Sequence, residues 1–110
     1  MQLAIVTFRM PAGFSRDDAA GYFRETAPRY AGLPGLLTKH YIHRQLATHA
    51  EAGGAYLWES QAAAAAGHGP EWAARVTAKY GSAPEIRLFD VPVSVDNRGE
   101  NPVIAEHPAA

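Results

Sequence analysis

A chain of 110 residues and 11.8 kDa is enough for one domain. With 47% hydrophobic and 19% charged residues it has the apolar mass of a globular protein rather than a disordered one. Ten basic residues against eleven acidic ones leave a net charge of -1, which gives no electrostatic case for nucleic acid or an anionic membrane as partner. The absence of cysteine excludes disulfides, thiolate metal sites, thiol nucleophiles and cysteine-ligated iron–sulfur clusters, and suits a reducing, cytoplasmic setting. No apolar run approaches the ~20 residues of a membrane helix. MQLAIVTF at the N-terminus has no basic segment ahead of it, so no secretory leader is expected.

Gln2 to Phe8, with Leu3, Ile5, Val6 and Phe8, predicts a strand that is apolar on both faces and closed by Pro11 and Gly13. Ser15 then offers an N-cap, with Asp17 and Asp18 in the first turn of a helix. Ala19, Tyr22, Phe23, Thr26 and Tyr30 form its core-facing stripe. Pro28 disfavours its last turn, and Gly32, Pro34 and Gly35 end it. Leu36 to Arg44 reads as a second strand, Gln45 to Ala52 as a polar turn, and Gly53 to Glu59 as a third strand. The third strand sets Tyr56 and Trp58 on one face and Ala55 and Leu57 on the other.

Ser60 caps a second helix that Gly67-His68-Gly69-Pro70 interrupts. Its second piece starts at Pro70 and runs through Trp72, Ala73, Val76 and Tyr80 to a Gly81 cap. Glu85 to Val91 is the fourth strand. The domain therefore spans 1–93. The tail from 94 to 110 is loose by composition, and docking on a partner subunit is its expected anchor.

The order β-α-β-β-α-β predicts an α+β, ferredoxin-like domain with a four-stranded antiparallel sheet and helices on one face. Both faces of the first and fourth strands are apolar, so the helix-free face needs a cover. A second copy of the same sheet is the simplest one, which predicts a homodimer.

The segment Glu51-Ala52-Gly53-Gly54-Ala55-Tyr56-Leu57-Trp58 resembles the EAGG-x-YL-aromatic signature of the YdhR-type mono-oxygenase family. Leu88-Phe89-Asp90-Val91 resembles that family's closing strand, and the likeness extends over residues 2–95. The resemblance implies a dimeric α+β barrel with a pocket between sheet and helices in each subunit. It also implies a cofactor-independent mono-oxygenase acting on an aromatic or polyketide-like phenol. Other members of the superfamily degrade haem, act as dismutase-like enzymes or sense ligands. A ligand-binding or stress-related protein without turnover, or an isomerase or lyase, therefore stands as the alternative.

Within that frame, Tyr56, Trp58 and Trp72 are candidates for an aromatic pocket, with His68 at its mouth and Tyr22 or Tyr30 as hydrogen-bond donors from the first helix. Each has a plainer reading as core packing or, for His68, as a helix break. His40 and His43 lie on opposite faces of the second strand, so they cannot share a metal. His40 is the candidate general base, because pairing of strands two and three about the proposed turn brings it near Tyr56. Haem-degrading relatives pair a second-helix histidine with an asparagine on the first strand, and Gln2 to Phe8 contains none. No cofactor and no metal are expected. Arg87 is expected to pair with a carboxylate. A G-x-G-x-x-G, a Walker loop, G-x-S-x-G and H-E-x-x-H are all absent, and the strands lack the basic flanks of an RNA-binding sheet.

Overall fold

Ser15 starts the first helix with a reciprocal capping box. Its Oγ accepts the Asp18 N–H at 3.0 Å, and Asp18 Oδ2 accepts the Ser15 N–H at 3.1 Å. The helix α1 (Arg16–Tyr30) continues through Pro28, which lies exposed on the outer side in the last turn, where only one backbone bond is lost. The structure, a computed structural model, describes residues 1–109. Its other elements are β1 (Gln2–Pro11), β2 (Leu36–Gln45), β3 (His49–Trp58), α2 (Gln61–Gly67), α3 (Pro70–Tyr80), β4 (Glu85–Asp90), β5 (Val93–Asp96) and β6 (Val103–Glu106).

The first four strands form one antiparallel sheet in the order β2-β3-β1-β4. The domain is α+β and compatible with a ferredoxin-like arrangement. The hairpin between β2 and β3 is tighter than the sequence suggests. Its turn is confined to residues 46–48, closed by the Leu46 N–H donating to the His49 carbonyl at 2.8 Å and by an Arg44–Glu51 ion pair across the strands. The polar and glycine-rich stretch from 49 to 54 is strand, because β1 and β2 satisfy its backbone on both sides.

Alternation along the strands separates two faces. Ala4, Val6, Phe8 and Met10 of β1 join Ala50, Ala52, Tyr56 and Trp58 of β3 on the helix side, covered by Ala19, Ala64 and Trp72. Along α1, Ala19 is buried and Phe23, Thr26 and Tyr30 are half-buried, but Tyr22 is 39% exposed, at the margin of the expected stripe. The opposite face carries Leu3 and Ile5, Leu57, Ile42 and Phe89, and no helix or strand among the described residues covers it.

The C-terminal segment is not loose among its described residues; Ala110 lies outside them. β5 and β6 pair as a separate two-stranded hairpin. The His107 N–H donates to the Pro92 carbonyl at 2.8 Å, and the Asp96 carboxylate accepts from the Arg98 guanidinium. Val93, Val95, Val103 and Ile104 of this hairpin are exposed, as is every residue of the edge strand β4. No helix among the described residues is long and apolar enough to cross a membrane.

Candidate functional site

Register decides which side chains of β2 reach the space beneath the helices. Lys39 pairs with Tyr56, Tyr41 with Gly54 and His43 with Ala52, so these three lie on the covered face. His40 pairs with Ala55 and lies on the bare face, exposed to solvent. The expected approach of His40 to Tyr56 is therefore corrected by one residue: the neighbour of Tyr56 on the covered face is Lys39. His43 on the covered side is tied up by the Phe14 carbonyl at 2.9 Å.

Between the sheet, α1 and α3 lies a cavity of about 540 Å³, within the range of small-molecule sites. Its apolar walls come from Phe8, Phe23, Tyr41, Tyr56, Trp72 and Tyr80. Gly54 helps to make it. A Cβ there would stand 2.9 Å from the Tyr56 ring and 3.3 Å from Lys39 Cε. The second glycine of the EAGG segment thus leaves space for both groups at the cavity wall.

Lys39 reaches into this space with its Nζ 3.3 Å from the Tyr30 ring centroid, 3.9 Å from that of Tyr41 and 4.4 Å from that of Tyr56. No carboxylate among the described residues forms an ion pair with it. Burial lowers its ammonium from 10.5 to about 7. The negative ring faces pull the other way by favouring the cation. Burial also raises the phenols of Tyr56 and Tyr80 above their ordinary value. It raises that of Tyr41 too, although a 2.7 Å hydrogen bond with Thr26 acts against the rise. These hydroxyls stay protonated at neutral pH. Lys39 alone among the shifted groups of the cavity is brought to the pH at which it can give or take a proton.

A second aromatic layer supports this wall. Tyr56 and Trp58 lie parallel with centroids 6.0 Å apart, and His68 sits edge-on to Tyr56 at 4.6 Å and to Trp72 at 4.5 Å. The Trp58 indole N–H donates to His68 Nε2 at 3.0 Å, so the neutral ring carries its proton on Nδ1. Burial, and then the charge of Lys39, lowers His68 to about 4. The Gly67-His68-Gly69-Pro70 break turns this imidazole inward rather than to a pocket mouth. A Cβ on Gly67 would collide with the Trp58 ring, so the break also fits the indole. His68 Nδ1 and Trp72 Nε1 are both buried without a hydrogen-bond partner.

The structure thus brings together Tyr56, Trp58, His68 and Trp72. Tyr56 and Trp72 face the cavity, with Trp58 and His68 behind them. It leaves out His40, and it leaves out Tyr22, which packs between Phe14 and Tyr80 at 5.6 Å from each. Arg87 makes no ion pair among the described residues and lies on the bare face near Phe89. Sequence reasoning passed over Lys39 and Tyr41; the signal for them was the parity of β2, readable only once the hairpin turn is placed. Among the described residues there is no cluster of three or more histidines and carboxylates able to hold a metal ion. No family model matches the chain, and no curated protein matches it.

Proposed function

We propose that the chain is a cofactor-independent mono-oxygenase for a small aromatic phenol, with Lys39 rather than His40 as the base. One observation carries this reading: the Lys39 amine, half-buried and without a carboxylate partner among the described residues, stands inside a cavity walled by aromatic rings, where burial lowers its ammonium to about 7. Such a displaced group in a concave site is the usual mark of proton-transfer chemistry. The neutral Lys39 amine takes the acidic proton of the bound phenol or its enolisable ring carbon. The resulting ammonium then stands against the anion in a site of low dielectric, where the attraction is strong. The electron-rich carbanion reduces dioxygen, forming a carbon–oxygen bond to a peroxide that takes up a proton. Loss of water from that hydroperoxide leaves a quinone, so one oxygen atom enters the product and the other leaves as water. The aromatic walls limit access of bulk water, and the Tyr30 and Tyr56 hydroxyls orient the substrate oxygen.

Oxygen uptake with anthrone-type and quinol substrates, without added cofactor, tests this directly. Uptake by wild type and by His40→Ala, with a loss of at least a hundredfold in Lys39→Met, is expected; equal rates in wild type and Lys39→Met refute it. One observation favours a second reading, a binder without turnover. The three rings around Nζ favour the charged ammonium, which would then serve as a fixed anchor for an anion. Thermal stabilisation by aromatic ligands without oxygen uptake distinguishes it.

The functional unit in this reading is a homodimer. Support comes from the uncovered apolar face, the exposed β4 edge and the exposed valines of the C-terminal hairpin, more apolar surface than a monomer normally leaves to water. Sedimentation as a particle of twice 11.8 kDa is the expected result.

A further inference from the structure

The charge of the cavity differs from that of the chain. The whole sequence carries -1, yet the cavity is lined by four basic residues, Arg29, Lys39, Arg75 and Lys79, against one carboxylate, Glu25. That carboxylate is already taken, since Lys79 Nζ donates to Glu25 Oε2 at 2.7 Å. Arg29 and Arg75 are left without a carboxylate partner among the described residues, although Glu71 lies one turn before Arg75 on α3.

Their position is as informative as their charge. Arg29 comes from the last turn of α1 and Arg75 from the middle of α3, so two separate elements deliver them to one place. Both line the inner cavity, and both also border an outer groove that runs over Leu33, Ala66 and Pro70. They therefore stand at the rim between the two spaces. A basic residue in the last turn of a helix is also favourable to the helix dipole, which accounts for Arg29 alone but not for Arg75 opposite it. Guanidinium groups hold planar anions through paired hydrogen bonds, and two of them at the rim of a ring-lined cavity suit a flat molecule with an anionic arm.

We propose that the molecule taken by this cavity is an aromatic acid, its ring system among the tyrosines and its carboxylate at the rim between Arg29 and Arg75. The inference rests on the cavity being a site for aromatic small molecules, and not on the chemistry assigned to Lys39. The net positive rim also raises the local concentration of such anions, so the preference weakens as salt is added.

The test uses 2-naphthoate and its uncharged analogue 2-naphthamide, which share ring and shape. Binding is measured by calorimetry at pH 8.5, above the midpoint of Lys39, so that the arginines dominate the contrast. Naphthoate is expected to bind wild type at least tenfold more tightly than naphthamide. In an Arg29→Gln, Arg75→Gln double variant, naphthoate loses that advantage and binds no more tightly than the amide. Both arginines are exposed, so matching melting temperatures are expected for variant and wild type. Equal affinities in wild type, or a preference that survives in the double variant, overturn the acid assignment while leaving the aromatic cavity standing. Binding of neither compound overturns both.

Discussion

On the helix side of the sheet, Ala4, Val6, Tyr56 and Trp58 are buried beneath α2 and α3, whereas on the other side Leu3, Ile5, Leu57 and Phe89 have no helix or second sheet over them among the described residues. The same strands supply both sets, one residue out of phase. The difference sets an enclosed space on one side against an open surface on the other. The covered side holds a walled cavity in which burial lowers the Lys39 ammonium below its ordinary value. The bare side leaves His40 exposed to solvent. Lys39 and His40 are neighbours in sequence, and the pleat alone sends them to opposite faces.

Substitutions on the two sides sharpen this contrast. The largest effect is expected from Trp58→Ala, which removes the largest fully buried side chain and the hydrogen bond to His68. A loss of about 3–5 kcal/mol in urea unfolding is expected, so retention of wild-type stability would show that the covered face is not the core.

Lys39→Met comes next and carries a sign. The folded-state value of Lys39, about 7, lies below its ordinary 10.5, so the unfolded chain binds the extra proton between these limits. Wild type therefore gains stability as pH rises from about 7 to 10.5, and the penalty of the buried charge is complete below 7. At pH 6 the methionine variant should be more stable by about 2 kcal/mol, allowing for the amine's partial exposure, with the advantage fading by pH 10. A pH-independent difference contradicts the burial of the charge.

His68 acts at the other end of the scale. Its value of about 4 lies below 6.5, so its contribution is complete above 6.5 and is lost as pH falls towards 4. Between pH 7 and pH 4, wild type should lose about 1 kcal/mol more than His68→Gln, once partial exposure is allowed for. Parallel profiles for the two proteins would remove His68 from the buried layer. The smallest effect belongs to His40→Ala, a change of less than about 0.5 kcal/mol in unfolding. A large loss there would place His40 in a role that its exposed position does not provide.

Much of the architecture is legible in the chain itself. The caps at Ser15 and Ser60, the glycine stop at Gly81 and the split of Tyr56 and Trp58 from Leu57 follow local rules that tertiary structure left intact. The first residues of β3, His49 to Ala52, were not legible. This polar, alanine-rich stretch has poor strand propensity, and only its pairing makes it a strand. That misplaced turn hid Lys39, since the parity of β2 relative to Tyr56 depends on where the hairpin closes. The inward turn of His68 was hidden for another reason: a glycine-flanked histidine reads as a surface break unless the Trp58 ring is known to occupy the space at Gly67. The C-terminal hairpin had no signal in a composition rich in proline and asparagine, because its two short strands are held by backbone pairing with little burial.

The most direct measurement is the titration of Lys39 itself. The chain contains only two lysines, Lys39 and Lys79, so the 13Cε chemical shifts of lysine-labelled protein followed by NMR between pH 5 and 11 give an assignable pair. One midpoint near 7 is expected, absent from Lys39→Met and displaced upward when an aromatic carboxylate occupies the cavity. A Lys39 midpoint at the ordinary value of 10.5, unmoved by ligand, would contradict it.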